Sequence, residues 1–300
     1  MFSRRHPFLF FCLVAFTVAS ATFVITTGLI VGGGALLNAS LVTGYGGHSG
    51  NVGVVEISGL ISSSKEIIED LNTFRKDADI EAIVLRIDSP GGGVGPSQEI
   101  YREVMKTRLV KKVVASLGSV AASGGYYSAA ACDGIMANPG TITGSIGVIM
   151  EYANFKEIIK KIGLTPVVIK SGEYKDMGSP LRDLADTEKR LLQGVVDEIH
   201  SQFVKDVATG RNIEEEKMAT FADGRIFTGA KALDLQLVDR LGNFGDAIEW
   251  AGVLAGITGD VVPVYPREDN MTMIKKVIHS LFKGADITGA ITDNFGFIVN

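Results

Sequence analysis

Between residues 51 and 241, short β-rich stretches alternate with amphipathic helical stretches, and this alternation restricts the possible folds more than any other feature of the chain. Strands separated by helices form βαβ units, whose strands run parallel in one sheet. The sequence therefore predicts an α/β fold with a mainly parallel sheet. The first predicted strands and the helices between them are Val52–Ile57, Ser62–Asp77, Ile80–Asp88, Ser97–Leu109 and Lys112–Gly118.

The second half of this region continues the pattern. We expect a helix over Asn154–Gly163, a strand over Thr165–Gly172 and a long amphipathic helix over Asp186–Arg211. From these stretches we predict a globular domain over residues 52–242. The remaining residues, 243–300, form a C-terminal extension, and the pattern leaves open whether it contacts other subunits or a membrane surface.

The N-terminus carries a long uncharged segment. Phe8–Val31 is almost entirely apolar and exceeds the roughly 20 residues needed to cross a bilayer. Arg4 and Arg5 precede it, so the positive-inside tendency keeps the N-terminus in the cytoplasm. Ala19–Ala21 resembles a signal-peptide cleavage site, but the apolar run is longer than the about 7–15 residues of such a signal. We predict an uncleaved membrane anchor within residues 1–37, followed by a Gly-rich linker over residues 38–51.

Composition excludes several classes of function. The net charge is −5 and no basic stripe interleaved with aromatic residues occurs, which argues against nucleic-acid binding. No His, Cys or carboxylate spacing typical of a metal site is present, so we expect neither a metal nor another cofactor. Cys12 and Cys132 are too far apart in the predicted organisation to form a disulfide, and Cys132 is interpreted as a buried thiol.

Three loops follow predicted strands, where ligands bind in parallel sheets. They are "DSPGGGVG" (88–95), "GSVAASGG" (118–125) and "SGEYKDMGSP" (171–180). The glycines of the first loop leave backbone N–H groups uncovered, which suits an oxyanion hole, but a tight turn with positive φ would also need glycine. The loop alone does not decide between these interpretations.

The second loop contains the candidate nucleophile. The loop contains Ser119 and Ser123, and Ser128 follows it closely. Small residues on both sides of Ser123 would let an extended peptide approach its hydroxyl. The N–H of Gly124 would lie beside the developing oxyanion at the start of a helix. Alternatively, the small residues serve only close packing of that helix on the sheet.

A serine nucleophile needs a general base. The histidines, at positions 6, 48, 200 and 279, all lie outside these loops, although a Ser-His-Asp triad remains a possible arrangement. Lysine is the other candidate, and it accepts a proton only where burial or nearby positive charge favours its neutral form. Lys175 follows a predicted strand between Tyr174 and Met177, and Lys170 is its local rival.

Three segments together resemble the signal peptide peptidase A family: "IDSPGGGV", "GSVAASGGYYSAAACDGIMANPGTITGSIGVIM" and "KSGEYKDMGSPLRDL". The resemblance implies a ClpP/crotonase-like fold of repeated ββα units and a protease with a Ser-Lys dyad. It implies Ser123 as the nucleophile, Lys175 as the general base and Ser145 as the residue that orients this lysine. It also implies that the amides of Gly92 and Gly124 form the oxyanion hole.

The resemblance further implies an assembly and a substrate. Members with a single repeat form a ring, octamer-like, in which neighbouring subunits share each dyad. Their substrates are remnant signal peptides left after secretory cleavage. The implied location is the bacterial cytoplasmic membrane, with one membrane pass and the catalytic domain on the periplasmic side. A crotonase-type acyl-CoA enzyme and a non-catalytic membrane scaffold are the alternatives.

Overall fold

The computed structural model describes residues 50–266. The predicted anchor over Phe8–Val31 lies outside these residues, as do most of the predicted linker and the end of the C-terminal extension. No helix between residues 50 and 266 is both long enough and apolar enough to span a bilayer.

Eight strands and eight helices make up this part of the chain. The strands are β1 (Val52–Ile61), β2 (Ala82–Gly92), β3 (Lys112–Ala122), β4 (Gly134–Ala137), β5 (Ile142–Gly144), β6 (Ile226–Thr228), β7 (Arg240–Leu241) and β8 (Pro263–Val264). The helices are α1 (Lys65–Lys76), α2 (Val94–Thr107), α3 (Gly124–Ala130), α4 (Lys156–Lys161), α5 (Asp186–Arg211), α6 (Glu215–Ala219), α7 (Gly229–Asp234) and α8 (Phe244–Ala255).

The strands form one sheet in the order β6-β5-β3-β2-β1-β8, and β4 pairs with both β3 and β7. Every pairing in the described chain is parallel except that of β5 with β6. Strand β3 changes its neighbour along its length, since its first half pairs with β4 and its last residues pair with β5. The predicted α/β fold with a mainly parallel sheet is therefore confirmed.

Both faces of the sheet are buried, as expected for parallel strands. Ile83, Leu85 and Ile87 of β2 point into a large cluster with α1, α2 and α3. The alternate residues Ala82 and Val84 pack on the other face, against Ala247, Trp250 and Ala251 of helix α8. The packed structure thus continues past residue 242, because α8 covers the sheet and β8 pairs with β1.

The predicted helix over Asp186–Arg211 is confirmed with the same bounds. The predicted strand over Thr165–Gly172 is wrong for the single chain, because these residues adopt no strand. Their β-branched side chains do not pack into the core: Val167 is 83% exposed and Ile169 is 97% exposed. Strands form by pairing with a neighbour, and within residues 50–266 this stretch pairs with none.

Candidate active site

Ser123 lies at the turn from β3 into α3, in a backbone conformation that few side chains adopt. Its φ is 52° and its ψ is −120°, outside the regions that residues other than glycine favour. Strain of this kind is typical of a nucleophile presented between a strand and a helix. Of four non-glycine residues with positive φ between residues 50 and 266, two are the predicted site residues Ser123 and Ser145.

The backbone of Ser123 is fixed, whereas its hydroxyl is not engaged. The N–H of Ser123 donates to the Gly144 carbonyl at 2.8 Å, and its carbonyl accepts the Tyr127 N–H at 2.8 Å. The Oγ atom is buried and has no hydrogen-bond partner among the described residues. An unpartnered buried hydroxyl carries an energetic cost, which is common at functional sites.

Glycines bring the backbone of β2 against the start of α3. A Cβ built on Gly91, whose φ is 112°, would lie 2.8 Å from Gly124 N and 2.9 Å from Ser123 Cβ. A Cβ on Gly124 would lie 3.3 Å from Gly92 N. The glycine-rich loop and Ser123 therefore meet at the carboxyl ends of the neighbouring strands β2 and β3. The backbone nitrogens of Gly92 and Gly124 lie close together there.

Ser145 lies beside Ser123 because β3 and β5 are paired at their ends. Ala122 pairs with Gly144, the last residues of β3 and β5, and each serine directly follows the end of its strand. Ser145 is half-buried with a φ of 53°, and its N–H donates to the Arg225 carbonyl at 2.9 Å. The structure thus brings both predicted serines to the same strand ends.

Lys175 is not brought to Ser123 within the chain. Its side chain is exposed, and Ser123 Oγ forms no hydrogen bond with any of residues 50–266. Lys170, the alternative candidate for the general base, forms an ion pair, because its Nζ donates to Asp176 Oδ1 at 2.6 Å. Arg182 binds the same carboxylate, and these hydrogen bonds to Arg182 and Lys170 hold the pKa of Asp176 well below its usual range.

The residues around Lys175 form a largely exposed apolar segment, residues 149–175. Its large apolar side chains that reach solvent are Ile149, Tyr152, Phe155, Ile158, Ile162, Leu164, Val167, Val168, Ile169 and Tyr174. Monomeric soluble proteins rarely expose so many apolar side chains together, so such a surface marks an interaction site.

A small apolar cavity of about 20 Å³ opens beside the Gly92 and Gly124 backbone. Tyr127 and Phe203 contribute to its lining, with ring centroids 4.4 Å apart in an edge-to-face arrangement. The Tyr127 hydroxyl donates to the Asp206 carboxylate, and burial together with this bond raises the pKa of Tyr127 above its usual range. At this volume the cavity holds about one group the size of a water molecule.

The other nucleophile and base candidates are engaged or remote. Ser128 Oγ donates to the Gly124 carbonyl at 3.0 Å, while Ser119 is exposed to solvent. Burial raises the pKa of the Cys132 thiol, which makes it inert. His200 Nε2 is also buried without a hydrogen-bond partner among residues 50–266, so it forms no hydrogen bond with Ser123 Oγ. No group of three or more His, Cys, Asp or Glu residues within residues 50–266 is arranged to hold a metal ion.

The sequence assigned no individual role to two residues at this site, although Gly91 is one of the loop glycines considered for the oxyanion hole. Gly91 is the glycine that the close approach requires, and the three consecutive glycines were the signal for it. Ser97 contacts the position where a Gly124 side chain would begin, and its Oγ donates to the Gly93 carbonyl at 2.9 Å. Nothing in the sequence pattern pointed to Ser97, because it resembles an ordinary residue at a helix start.

Two family models match the chain. The one described as peptidase family S49 matches residues 106–258, and the one described as Clp protease matches residues 56–142. A putative protease of Synechocystis sp. is 45% identical over 244 residues, which are 81% of this chain and 86% of that protein.

Two further relatives are similar over shorter shares of their length. A putative signal peptide peptidase SppA of Enterococcus faecium is 36% identical over 186 residues, 62% of this chain and 54% of the relative. The chloroplastic serine protease SPPA of Arabidopsis thaliana is 34% identical over 195 residues, 65% of this chain and 29% of the relative. The chain therefore spans about half or less of these two proteins.

Proposed function

The chain belongs to peptidase family S49, and from this premise we propose that it is a membrane-anchored endopeptidase in which Ser123 is the nucleophile and Lys175 the general base. As a member of this family it is a serine peptidase, a hydrolase of peptide bonds. The family favours peptide hydrolysis over an acyl-CoA reaction or a non-catalytic scaffold.

The observation that carries the nucleophile assignment is the state of Ser123. It combines a strained backbone, complete burial and an unpartnered hydroxyl at a site where the Gly92 and Gly124 backbone meets it. Ser128, about one turn further along α3, is also fully buried, but it lies within the helix and its hydroxyl donates to the Gly124 carbonyl.

The proposed reaction proceeds through an acyl-enzyme. Ser123 Oγ attacks the carbonyl carbon of the scissile peptide bond while its proton passes to the neutral Lys175 Nζ. The Gly92 and Gly124 amides stabilise the negative oxygen of the tetrahedral intermediate. The C–N bond then breaks, and the lysine returns the proton to the leaving amine. Water attacks the ester with Lys175 as base, which releases the carboxylic acid and restores Ser123.

We propose that Lys175 reaches Ser123 of a neighbouring copy of the chain in a ring-shaped, octamer-like assembly. Two observations support this arrangement. Ser123 Oγ has no hydrogen-bond partner among residues 50–266 of its own chain, and Lys175 ends the exposed apolar segment 149–175. Covering this segment with a second copy would bury apolar surface and remove Lys175 from water, which favours its neutral form. Ser145, at the end of the neighbouring strand, is proposed to orient the incoming lysine.

The proposed substrates are remnant signal peptides, which are extended and apolar. The residues adjacent to Ser123, Ala121 and Ala122 before it and Gly124 and Gly125 after it, are small and uncharged, which favours the approach of such a backbone. The apolar run Phe8–Val31 supports a single membrane pass at the bacterial cytoplasmic membrane. We place the catalytic domain, residues 52–242 together with the α8 and β8 that pack on it, on its periplasmic side. We propose that the C-terminal extension, residues 243–300, also adds a contact between subunits.

The test compares Ser123→Ala with the matched variant Ser128→Ala in the full-length protein. Ser123→Ala is expected to abolish both hydrolysis of an apolar peptide and labelling by a fluorophosphonate. Ser128→Ala is expected to keep both, because it removes only a hydrogen bond to a helix carbonyl. Retained hydrolysis in Ser123→Ala would reject the assignment.

A further inference from the structure

A bulge interrupts β3 shortly before Ser123. Ile87 of β2 pairs with Leu117, but the next regular pair is Ser89 with Ala121. A single β2 residue, Asp88, therefore lies opposite the three residues 118–120 of β3. The bulge also marks the point where β3 leaves β4 and begins to pair with β5.

The bulge decides which part of the glycine-rich loop meets Ser123. If the register of Ile87 and Leu117 continued, Ser123 would lie opposite Gly93. In the register after the bulge it lies opposite Gly91, whose Cβ position is 2.9 Å from Ser123 Cβ. The difference is two strand residues, about 6.6 Å along the sheet. Without the bulge, Ser123 would lie opposite Gly93, and the close contact of Gly91 with Ser123 Cβ and Gly124 N would be lost.

The side chain of Asp88 holds the bulge directly. Its Oδ1 accepts the N–H of Val120 at 3.1 Å. Gly118 makes room for this carboxylate, because a Cβ there would lie 2.9 Å from both Cγ and Oδ2 of Asp88. From the other side, Thr141 Oγ1 donates to the Gly118 carbonyl at 2.7 Å. The bulged backbone thus has a partner at each end of residues 118–120.

We propose that Asp88 is a positioning residue for Ser123, acting through the Val120 N–H that it binds. The proposal rests on the proposed function only in taking Ser123 as the nucleophile. Asp88 forms no ion pair with any of residues 50–266, so its role needs an oxygen acceptor and not a negative charge. Asparagine has the same shape and keeps that acceptor, so it should replace Asp88.

The experiment compares Asp88→Ala, Asp88→Asn and a control, Asp77→Ala, in the full-length protein. Asp77 is a matched control, because its Oδ1 also accepts a backbone N–H, that of Asp79 at 3.0 Å, but at the opposite end of β2. The measurements are the rate at which a fluorophosphonate labels Ser123, located by mass spectrometry, and kcat and KM for an apolar peptide.

We expect Asp88→Ala to slow labelling and to lower kcat by about 10-fold or more, with KM changed by less than about 3-fold, since misplacing a reacting group by 1 Å can cost about 100-fold. Asp88→Asn should keep at least about a third of the wild-type rate, because a neutral acceptor forms a weaker bond of the same geometry. Asp77→Ala should match the wild type.

Several results would overturn the proposal. Wild-type labelling and kcat in Asp88→Ala would show that the bond does not position Ser123, and equal losses in Asp88→Asn and Asp88→Ala would show that the charge matters instead. If Asp88→Ala does not fold, Gly118→Ala replaces it, because its Cβ displaces the Asp88 carboxylate. Normal labelling of folded Gly118→Ala then overturns the proposal. Absence of Ser123 labelling in the wild type would instead reject the proposed function itself.

Discussion

Gly91 and Gly124 approach each other so closely that a Cβ on Gly91 would lie 2.8 Å from the backbone nitrogen of Gly124. Gly91 also has a φ of 112°, which L-residues rarely adopt. Position 91 therefore requires glycine for two reasons: a side chain has no space there, and the backbone conformation is unfavourable for other residues. Any side chain at Gly91 would move the amide that we propose to bind the oxyanion.

Gly91→Ala is accordingly expected to lower kcat by about 100-fold or more, the usual cost of losing an oxyanion-hole donor. Gly95→Ala is the control from the same loop, since nothing lies within 4 Å of its Cβ position. Gly95 is part of helix α2, so this variant should keep its activity and gain slightly in thermal stability. Comparable kcat values for the two variants would contradict the account.

Lys175→Ala and Lys170→Ala separate the two lysines that the sequence left as candidates. Lys175→Ala should abolish peptide hydrolysis while the protein remains folded, because Ser123 then has no base. Lys170→Ala removes an ion pair with Asp176 on the surface and should cost no more than a few-fold in kcat. Circular dichroism of both variants provides the control for folding, and the opposite ranking of activities would assign the base to Lys170.

A dyad shared between subunits predicts complementation. Ser123→Ala and Lys175→Ala are each expected to be inactive, but an assembly formed by co-expressing both should contain sites with an intact serine from one copy and an intact lysine from its neighbour. Random mixing in a ring of equivalent contacts should restore about a quarter of the wild-type activity. The control co-expresses the native chain with a chain that carries both Ser123→Ala and Lys175→Ala, and it measures how far inactive subunits lower the activity of a mixed ring. No recovery in a verified mixed assembly would place both groups of a dyad in the same chain.

Asp70 provides a test of stability as a function of pH. Burial, together with the charges of Glu66 and Glu69, raises the pKa of Asp70 to about 6. The unfolded carboxyl has a pKa of about 3.9, so ionised Asp70 lowers the free energy of unfolding above about pH 6, and this penalty disappears as the pH falls below the unfolded value.

Asp70→Asn should therefore raise Tm by about 1–3 °C near neutral pH, a modest shift because solvent screens this half-exposed group. At about pH 4 the two proteins should unfold at nearly the same temperature. Calorimetry at both values measures the difference, with Asp79→Asn as a control at an exposed carboxylate. A gain that is larger at acid pH would contradict the assigned direction of the pKa change.

The sequence predicted the central strands and the long helix well, because their hydrophobic patterns are local. The helix Asp186–Arg211 has the predicted bounds. In contrast, Thr165–Gly172 has the composition of a strand but no pairing partner in the described chain. Composition alone does not show whether a stretch finds a neighbouring strand. For the same reason, the pattern could place Lys175 after a strand-like stretch without showing that it would be exposed in a single chain.

Ser123 and the glycines could be named from small-residue patterns and from a family resemblance, but not their geometry. The positive φ of Ser123 and the two-residue shift opposite Asp88 depend on pairing between distant parts of the chain. Asp88 itself looks like an ordinary residue at a strand end. Its contact with Val120 becomes visible only when β2 and β3 are in register.

The most direct test of the Ser-Lys dyad is the distance between Ser123 Oγ and Lys175 Nζ in an experimental structure of the assembled, full-length protein. The account predicts a separation of about 2.6–3.2 Å between atoms of neighbouring subunits, with the lysine shielded from solvent and near Ser145. A lysine nitrogen that remains in open water, or that stays out of reach of Ser123 in every pair of subunits, would contradict it.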